Sequence, residues 1–166
     1  MFYSNLIDWS KVTYETAEKF VPPISYGKVV KVYDGDTITV ATPLDYTRAP
    51  IYHFSVRLRG IDSPEIRGSS PEEKAAALAA KNALSEKIMN RMVFLQNIDT
   101  EKYGRVLADV FLEEPGPGSG KSETQSISEW MLQNHYAVDY DGTTKVAWTA
   151  SKIQQEEDSY YKISTW

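Results

Sequence analysis

Three short stretches of this chain gather carboxylates and arginines more densely than their turns require. The first, VYDGDTITV at residues 32–40, sets Asp34 and Asp36 one glycine apart in what otherwise reads as a β-hairpin. Asp-Gly is a common hairpin turn pair, which accounts for Asp34 and Gly35 but not for Asp36. Two carboxylates in a tight turn repel unless positive charge sits nearby, and a hard cation bound by oxygen would supply it. The second stretch, RLRGIDSPE at 57–65, flanks Ser63-Pro64 with Asp62 and Glu65 just after a strand carrying Arg57. Pro64 fixes its own φ and biases Ser63 toward an extended conformation, which turns the Ser63 carbonyl outward beside Asp62 and makes a local oxygen cluster. The third, EKYGRVL at 101–107, puts Arg105 just past a glycine at the start of a strand. Each alone passes for a turn, a helix lead-in or a hairpin connection; together they are far more specific.

These residues need elements to position them. YGKVVKVY and TITVAT are β-branched runs joined by DGD, the pattern of a hairpin. HFSVRLRGI alternates, with Phe54, Val56 and Leu58 on one face and Arg57 and Arg59 on the other. A helix starts at Ser70, with Ser70 as N-cap, Pro71 in the first turn and Glu73 completing a capping box, and buries Ala77, Leu84 and Ile88. VFLQNI and RVLADVFL are two further strands, five in all. Ser126 and Glu129 open a short second helix through EWMLQN, and KVAWTASKIQQEEDSYY at 145–161 reads as a third. Residues 1–25 read as an N-terminal extension with weak helical periodicity in Leu6, Trp9, Val12 and Ala17. The Pro-, Gly- and Ser-rich segment 113–124 reads as an exposed loop within a domain spanning 26–166. Five strands with helices between and after them make a small α+β domain on a barrel.

Composition narrows the possibilities. The 166 residues suit one domain, no apolar run approaches a membrane span, and without cysteine there are no disulfides, thiolate metal sites or thiol nucleophiles. Residues 1–20 lack a basic region followed by a clean apolar stretch, so no secretion signal is read in the chain as given; a cytoplasmic protein and one exported after processing both fit. The net charge of −5 argues against a polyanion binder until its distribution is considered. Between Tyr26 and Leu112, 12 Lys and Arg face 11 Asp and Glu, whereas the remainder holds 6 against 12. The acidity sits in the tails.

VYDGDTITV, VRLRGIDSPE and KYGRVLADVFL, in that order and with a helix between the last two, resemble the staphylococcal nuclease (thermonuclease) family over roughly residues 27–140. The resemblance implies a five-stranded OB-like β-barrel with three helices and a metal-dependent phosphodiesterase that cleaves DNA and RNA with low sequence specificity, leaving 3′-phosphate ends. It implies calcium, or another divalent cation, on Asp36, Asp62 and the Ser63 carbonyl, with Asp34 supporting the site from behind. The family's best-known member has threonine where Ser63 stands, a harmless difference where a backbone oxygen ligates. Glu65 then stands beside the attacking water, where a carboxylate can activate and aim it. Arg57 and Arg105 bind the phosphoryl oxygens on which the transition state gathers charge, and Lys102 and Tyr103 contact substrate phosphate. For the base-stacking tyrosines that the resemblance implies, Tyr136 and Tyr140 are the candidates, in a stretch that does not align cleanly with the family's. Single-stranded DNA, RNA and duplex DNA are the implied partners, no membrane is expected, and the oligomeric state is left open. The alternative is a catalytically inactive module of the same fold that binds nucleic acid or protein.

Overall fold

The structure, a computed structural model, describes residues 7–68, 70–115 and 122–143. Its strands are β1 (Tyr26–Val32), β2 (Thr37–Thr42), β3 (Tyr52–Leu58), β4 (Ile61–Asp62), β5 (Met92–Thr100), β6 (Val106–Pro115), β7 (Ser122–Ser126) and β8 (Val138–Asp139). Two α-helices accompany them, α1 (Pro71–Ile88) and α2 (Ile127–Gln133). The helix expected at 145–161 lies outside the described residues. No helix among the described residues is long and apolar enough to cross a membrane.

The main sheet runs β3-β2-β1-β5-β6-β7, and a parallel β3–β6 pairing closes its first five strands into a barrel. Strand alternation decides what the barrel contains: β6 alternates buried and half-buried residues, with Val106, Ala108, Val110 and Leu112 inward. Val29, Ile38, Val40, Val56, Leu58 and Val93 join them in the core. Helix α1 covers one side. Ser70 Oγ accepts from the Glu73 N–H at 3.0 Å, and the buried Ala77, Ala80, Leu84 and Ile88 recur every three to four residues. The helix stops where Met89 turns extended and Asn90 takes a positive φ of 62°, which swings the chain into β5 beside β1.

Closure of the barrel positions the functional candidates. In the β2–β3 ladder Thr37 lies opposite Arg57, and in the parallel β3–β6 ladder Arg57 lies opposite Leu107. Asp36 therefore ends the loop beside Arg57, and Arg105 precedes β6 on the same rim. A small second sheet pairs Asp62 with Val138 and Ile61 with Asp139, drawing the segment after α2 against the second stretch.

Several expectations need correction. The hairpin expected at DGD forms, β1 pairing antiparallel with β2, but its loop is longer than the Asp-Gly pair: β1 ends at Val32, β2 begins at Thr37, and the Asp36 N–H donates to Asp34 Oδ1 at 3.1 Å. Gly35 is required for space rather than for a left-handed φ, since a Cβ there would stand 2.8 Å from Ser63 Cβ and 2.9 Å from Ala80 Cβ. The segment 113–124 is only partly a loop. β6 continues to Pro115 and pairs with β7 through Glu113↔Thr124 and Pro115↔Ser122, a polar, solvent-facing hairpin with no apolar alternation to announce it. Among the described residues of the extension, from residue 7 onward, the helical structure is one 3-10 turn at Trp9–Lys11 capped by Asp8. Residues 7–21 are all exposed, so no apolar face there has anything to pack against and a longer helix gains nothing.

Candidate functional site

A cleft of about 180 Å³ opens at the barrel rim, lined by Asp34, Asp36, Arg57, Ser63, Glu65 and Arg105 together with Tyr33 and Pro64. Residues from all three sequence stretches meet there. At its floor Arg57 is 6% exposed, between Asp36 and Asp62 at 4% each. Its Nη1 forms a close ion pair with Asp36 Oδ2, while Nη2 donates to Asp62 Oδ1 and to the Ile61 carbonyl, both at 3.1 Å. Two buried carboxylates thus converge on one guanidinium, an arrangement the low-dielectric interior tolerates only when charges are matched and hydrogen-bonded.

Asp36 has further donors. Thr37 Oγ1 donates to Oδ1 at 2.8 Å and the Ser63 N–H to Oδ2 at 3.3 Å. Burial alone would raise its pKa, but the Arg57 charge and these hydrogen bonds outweigh burial and hold the carboxyl below its ordinary value. Asp34 behaves oppositely. Half-buried and facing the ionised Asp36, it is pushed up to about 6, first by desolvation and then by its neighbour's charge. Arg57 is raised: burial works against its charge, and the two aspartates more than compensate.

Arg105 enters from the β5–β6 hairpin. Gly104 takes a φ of 82°, the left-handed conformation that tight turn needs, and the Glu101 N–H donates to the Arg105 carbonyl at 2.9 Å. The Arg105 Nε is paired with Glu101, four residues back, and its Nη1 donates to Thr37 Oγ1 at 3.1 Å. Glu65 is exposed on the cleft lip, in the loop leading to α1.

Lys102 and Tyr103 do not line this cleft. They line an adjoining, larger cavity of about 770 Å³ together with Tyr140, and Arg57 and Arg105 form the wall between the two. Tyr103 is 74% exposed, with the Lys102 ammonium 4.8 Å from its ring centroid. Of the two tyrosine candidates, Tyr140 lies 5.5 Å from the Arg57 guanidinium, its N–H bonded to the Gly60 carbonyl. Tyr136 packs on Trp130 at 5.9 Å and against the core. Sequence reasoning passed over Thr37 and Glu101, although both stand inside quoted stretches; the i,i+4 spacing of Glu101 and Arg105 was the available signal.

The chemistry of the donor set is of the kind a hard cation takes. Asp36, Asp62 and the Ser63 carbonyl are oxygen donors of the kind calcium takes, but two charged ligands are few. Among the described residues no group of three or more His, Asp or Glu side chains gathers for a metal.

Fold and rim together define a closed α+β barrel carrying an acid–guanidinium cleft. Residues 55–162 match the staphylococcal nuclease homologue family, a span that opens in β3 and takes in Arg57, Asp62, Glu65 and Arg105. The chain belongs to the staphylococcal nuclease family. It is 30% identical over 114 residues to the micrococcal nuclease of Shigella flexneri, covering 69% of this chain and 58% of that one. It is 36% identical over 86 residues to Protein ParB of Escherichia coli, covering 52% and 41%. An uncharacterised protein of Methanocaldococcus jannaschii is 31% identical over 135 residues, covering 69% and 59%. The chain therefore spans about half the length of these curated relatives. Asp34 and Asp36 precede the matched span and reach the site through the β2–β3 ladder.

Proposed function

We propose that this chain is a calcium-dependent endonuclease that hydrolyses DNA and RNA with little sequence preference and leaves 3′-phosphate ends. The observation carrying this reading is the meeting of Asp36, Arg57, Ser63, Glu65 and Arg105, from three separate stretches, in one cleft of about 180 Å³. Asp36, Asp62 and the Ser63 carbonyl would hold the cation, with Asp34 behind them. Bound there, the ion would act as a Lewis acid on a phosphoryl oxygen. Glu65, on the exposed lip, orients a water molecule for in-line attack on phosphorus and takes its proton, while the phosphorus–O5′ bond breaks and the departing 5′-oxygen takes up a proton to leave a 5′-hydroxyl beside the 3′-phosphate. Arg57 and Arg105 bind the phosphoryl oxygens as negative charge accumulates on them, a task suited to planar guanidinium forks. Lys102 and Tyr103 in the adjoining cavity contact backbone phosphate, and Tyr140 offers a ring on which any base can stack, consistent with low sequence preference.

Cleavage of single-stranded DNA with calcium or with chelator tests this directly. Wild type should cut only with the metal, and Glu65→Ser and Arg105→Ala should each lose about 100-fold or more in rate. Variants that match wild type would overturn the site assignment. A second reading, an inactive binding module, draws on the engagement of both metal-site aspartates by Arg57. A calcium titration separates the two, because filling a real site raises the melting temperature by mass action and a pure binder shows no such rise.

A further inference from the structure

We propose that Thr37 and Glu101 are positioning residues that hold the Arg105 guanidinium in register with the Asp36 carboxylate, so that Arg105 meets a phosphate through its terminal Nη edge. The proposal rests on the nuclease reading above and adds to it two residues that act through Arg105.

Hydrogen-bond polarity makes the case. A carboxylate only accepts and a guanidinium only donates, so a residue joining them side by side must do both. Thr37 does so: its single O–H goes to Asp36 Oδ1 at 2.8 Å, leaving the oxygen's lone pairs to accept Arg105 Nη1 at 3.1 Å. The hydroxyl has little freedom to do otherwise, since Thr37 is 3% exposed and stands opposite Arg57 in the β2–β3 ladder. Glu101 works from the other side of Arg105 by pairing with Nε. The Glu101 N–H to Arg105 carbonyl bond closes the same hairpin, so acid and arginine are held together by backbone as well as by side chain. An arginine carries five N–H bonds. With Nε given to Glu101 and one Nη1 hydrogen to Thr37, the hydrogens on the terminal edge are the ones left for phosphate. Through Thr37 the Asp36 carboxylate is thus coupled to an arginine 68 residues further along the chain than Thr37 itself.

The test uses Thr37→Val, which keeps the shape and removes the hydroxyl, with Thr37→Ser as the rescue. Thr37→Val should lower kcat about 10- to 100-fold while KM moves less than about 3-fold, because misplacing an anchored group is felt mainly in the transition state. Thr37→Ser should recover to within about 3-fold, and Glu101→Ala should show the same split, relieved in Glu101→Gln, which retains an acceptor oxygen. Binding of a fluorescein-labelled oligothymidylate in chelator gives a readout independent of turnover: Thr37→Val weakens it by no more than about 3-fold, in keeping with the small change in KM, Arg105→Ala weakens it further, and the double variant binds no worse than Arg105→Ala. Additive losses, or a serine that fails to rescue, would overturn the proposal. If wild type neither cuts nor binds, the nuclease reading fails by itself, and thermal melts in chelator still decide the coupling. There Thr37→Val must lower the melting temperature less in the Arg105→Ala background than in wild type, and an equal drop refutes it.

Discussion

Replacing Asp34 by asparagine should stabilise the metal-free protein at neutral pH and weaken its response to calcium. Asp34 Oδ1 accepts the Asp36 N–H at 3.1 Å, and an asparagine oxygen can accept it equally. What the substitution removes is a carboxylate whose pKa is pushed up to about 6 by burial and by the Asp36 charge. Well below the ordinary carboxylate pKa, at about pH 3 and lower, this group is protonated in folded and unfolded chains alike and has no effect. As pH rises toward 6 the unfolded chain gives up a proton that the folded chain still holds, so stability falls, and above 6 the whole penalty is present. Two pKa units correspond to about 3 kcal/mol, which screening of a half-exposed group reduces to about 1–2 kcal/mol. Asp36 acts in the opposite sense and in another window: its depressed pKa contributes stability present above the ordinary carboxylate range and lost on acidification below about pH 4. Asp34→Asn in chelator should therefore melt about 3–6 °C higher than wild type at pH 7, with only a small part of that advantage left at pH 4. With saturating calcium the advantage should shrink or reverse, since the ion loses a nearby negative charge. A variant less stable than wild type at pH 7 in chelator, or equally stabilised at both pH values, would refute the reasoning.

Arg57→Met would leave Asp36 and Asp62 buried without their shared counter-charge, and urea unfolding in chelator should show a loss of about 3–5 kcal/mol; a loss under about 1 kcal/mol would mean the aspartates ionise elsewhere. Two glycine substitutions should fail for different reasons. Gly35→Ala forces a Cβ against Ser63 and Ala80, costing about 1–3 kcal/mol and disturbing cleavage, whereas Gly104→Ala meets no atom within 4 Å and costs only about 1–2 kcal/mol of backbone strain. Melting curves and turnover of the pair check both. Tyr140→Ala should weaken oligonucleotide binding by about 1–3 kcal/mol with little change in stability, and Tyr136→Ala should do the reverse; equal effects on binding would remove Tyr140 from the substrate path.

How far the sequence reveals this molecule depends on the range of the interaction that shapes each part. Local rules serve well where local forces decide. Ser70 caps α1 and Ser126 caps α2 because a hydroxyl three residues before an unpaired N–H needs nothing distant. Strand alternation likewise exposes the inward rows of β3 and β6. The hairpin of β6 and β7 stays hidden because its residues are polar and solvent-facing, held by the ladder alone. Gly35 misleads in another way: its dipeptide signals a turn, yet the constraint on it comes from Ser63 and Ala80, far along the chain. In the site, residue types suggest acids near a cation, while the geometry shows that the nearest compensating positive charge to Asp36 and Asp62 is Arg57 itself. Asp34 and Asp36 can stand one residue apart because they are not in the same state. Asp36 is neutralised by a guanidinium, and Asp34 pays for its proximity by holding its proton to about pH 6. A cation entering the cleft would thus compete with Arg57 for two carboxylates, and freeing that guanidinium toward a phosphate would tie metal binding to substrate binding. On that logic calcium and oligonucleotide should each tighten the other's binding by the same factor. Titrating calcium with and without oligothymidylate in the Glu65→Ser variant measures both factors, and independent binding would show that Arg57 never leaves its aspartates.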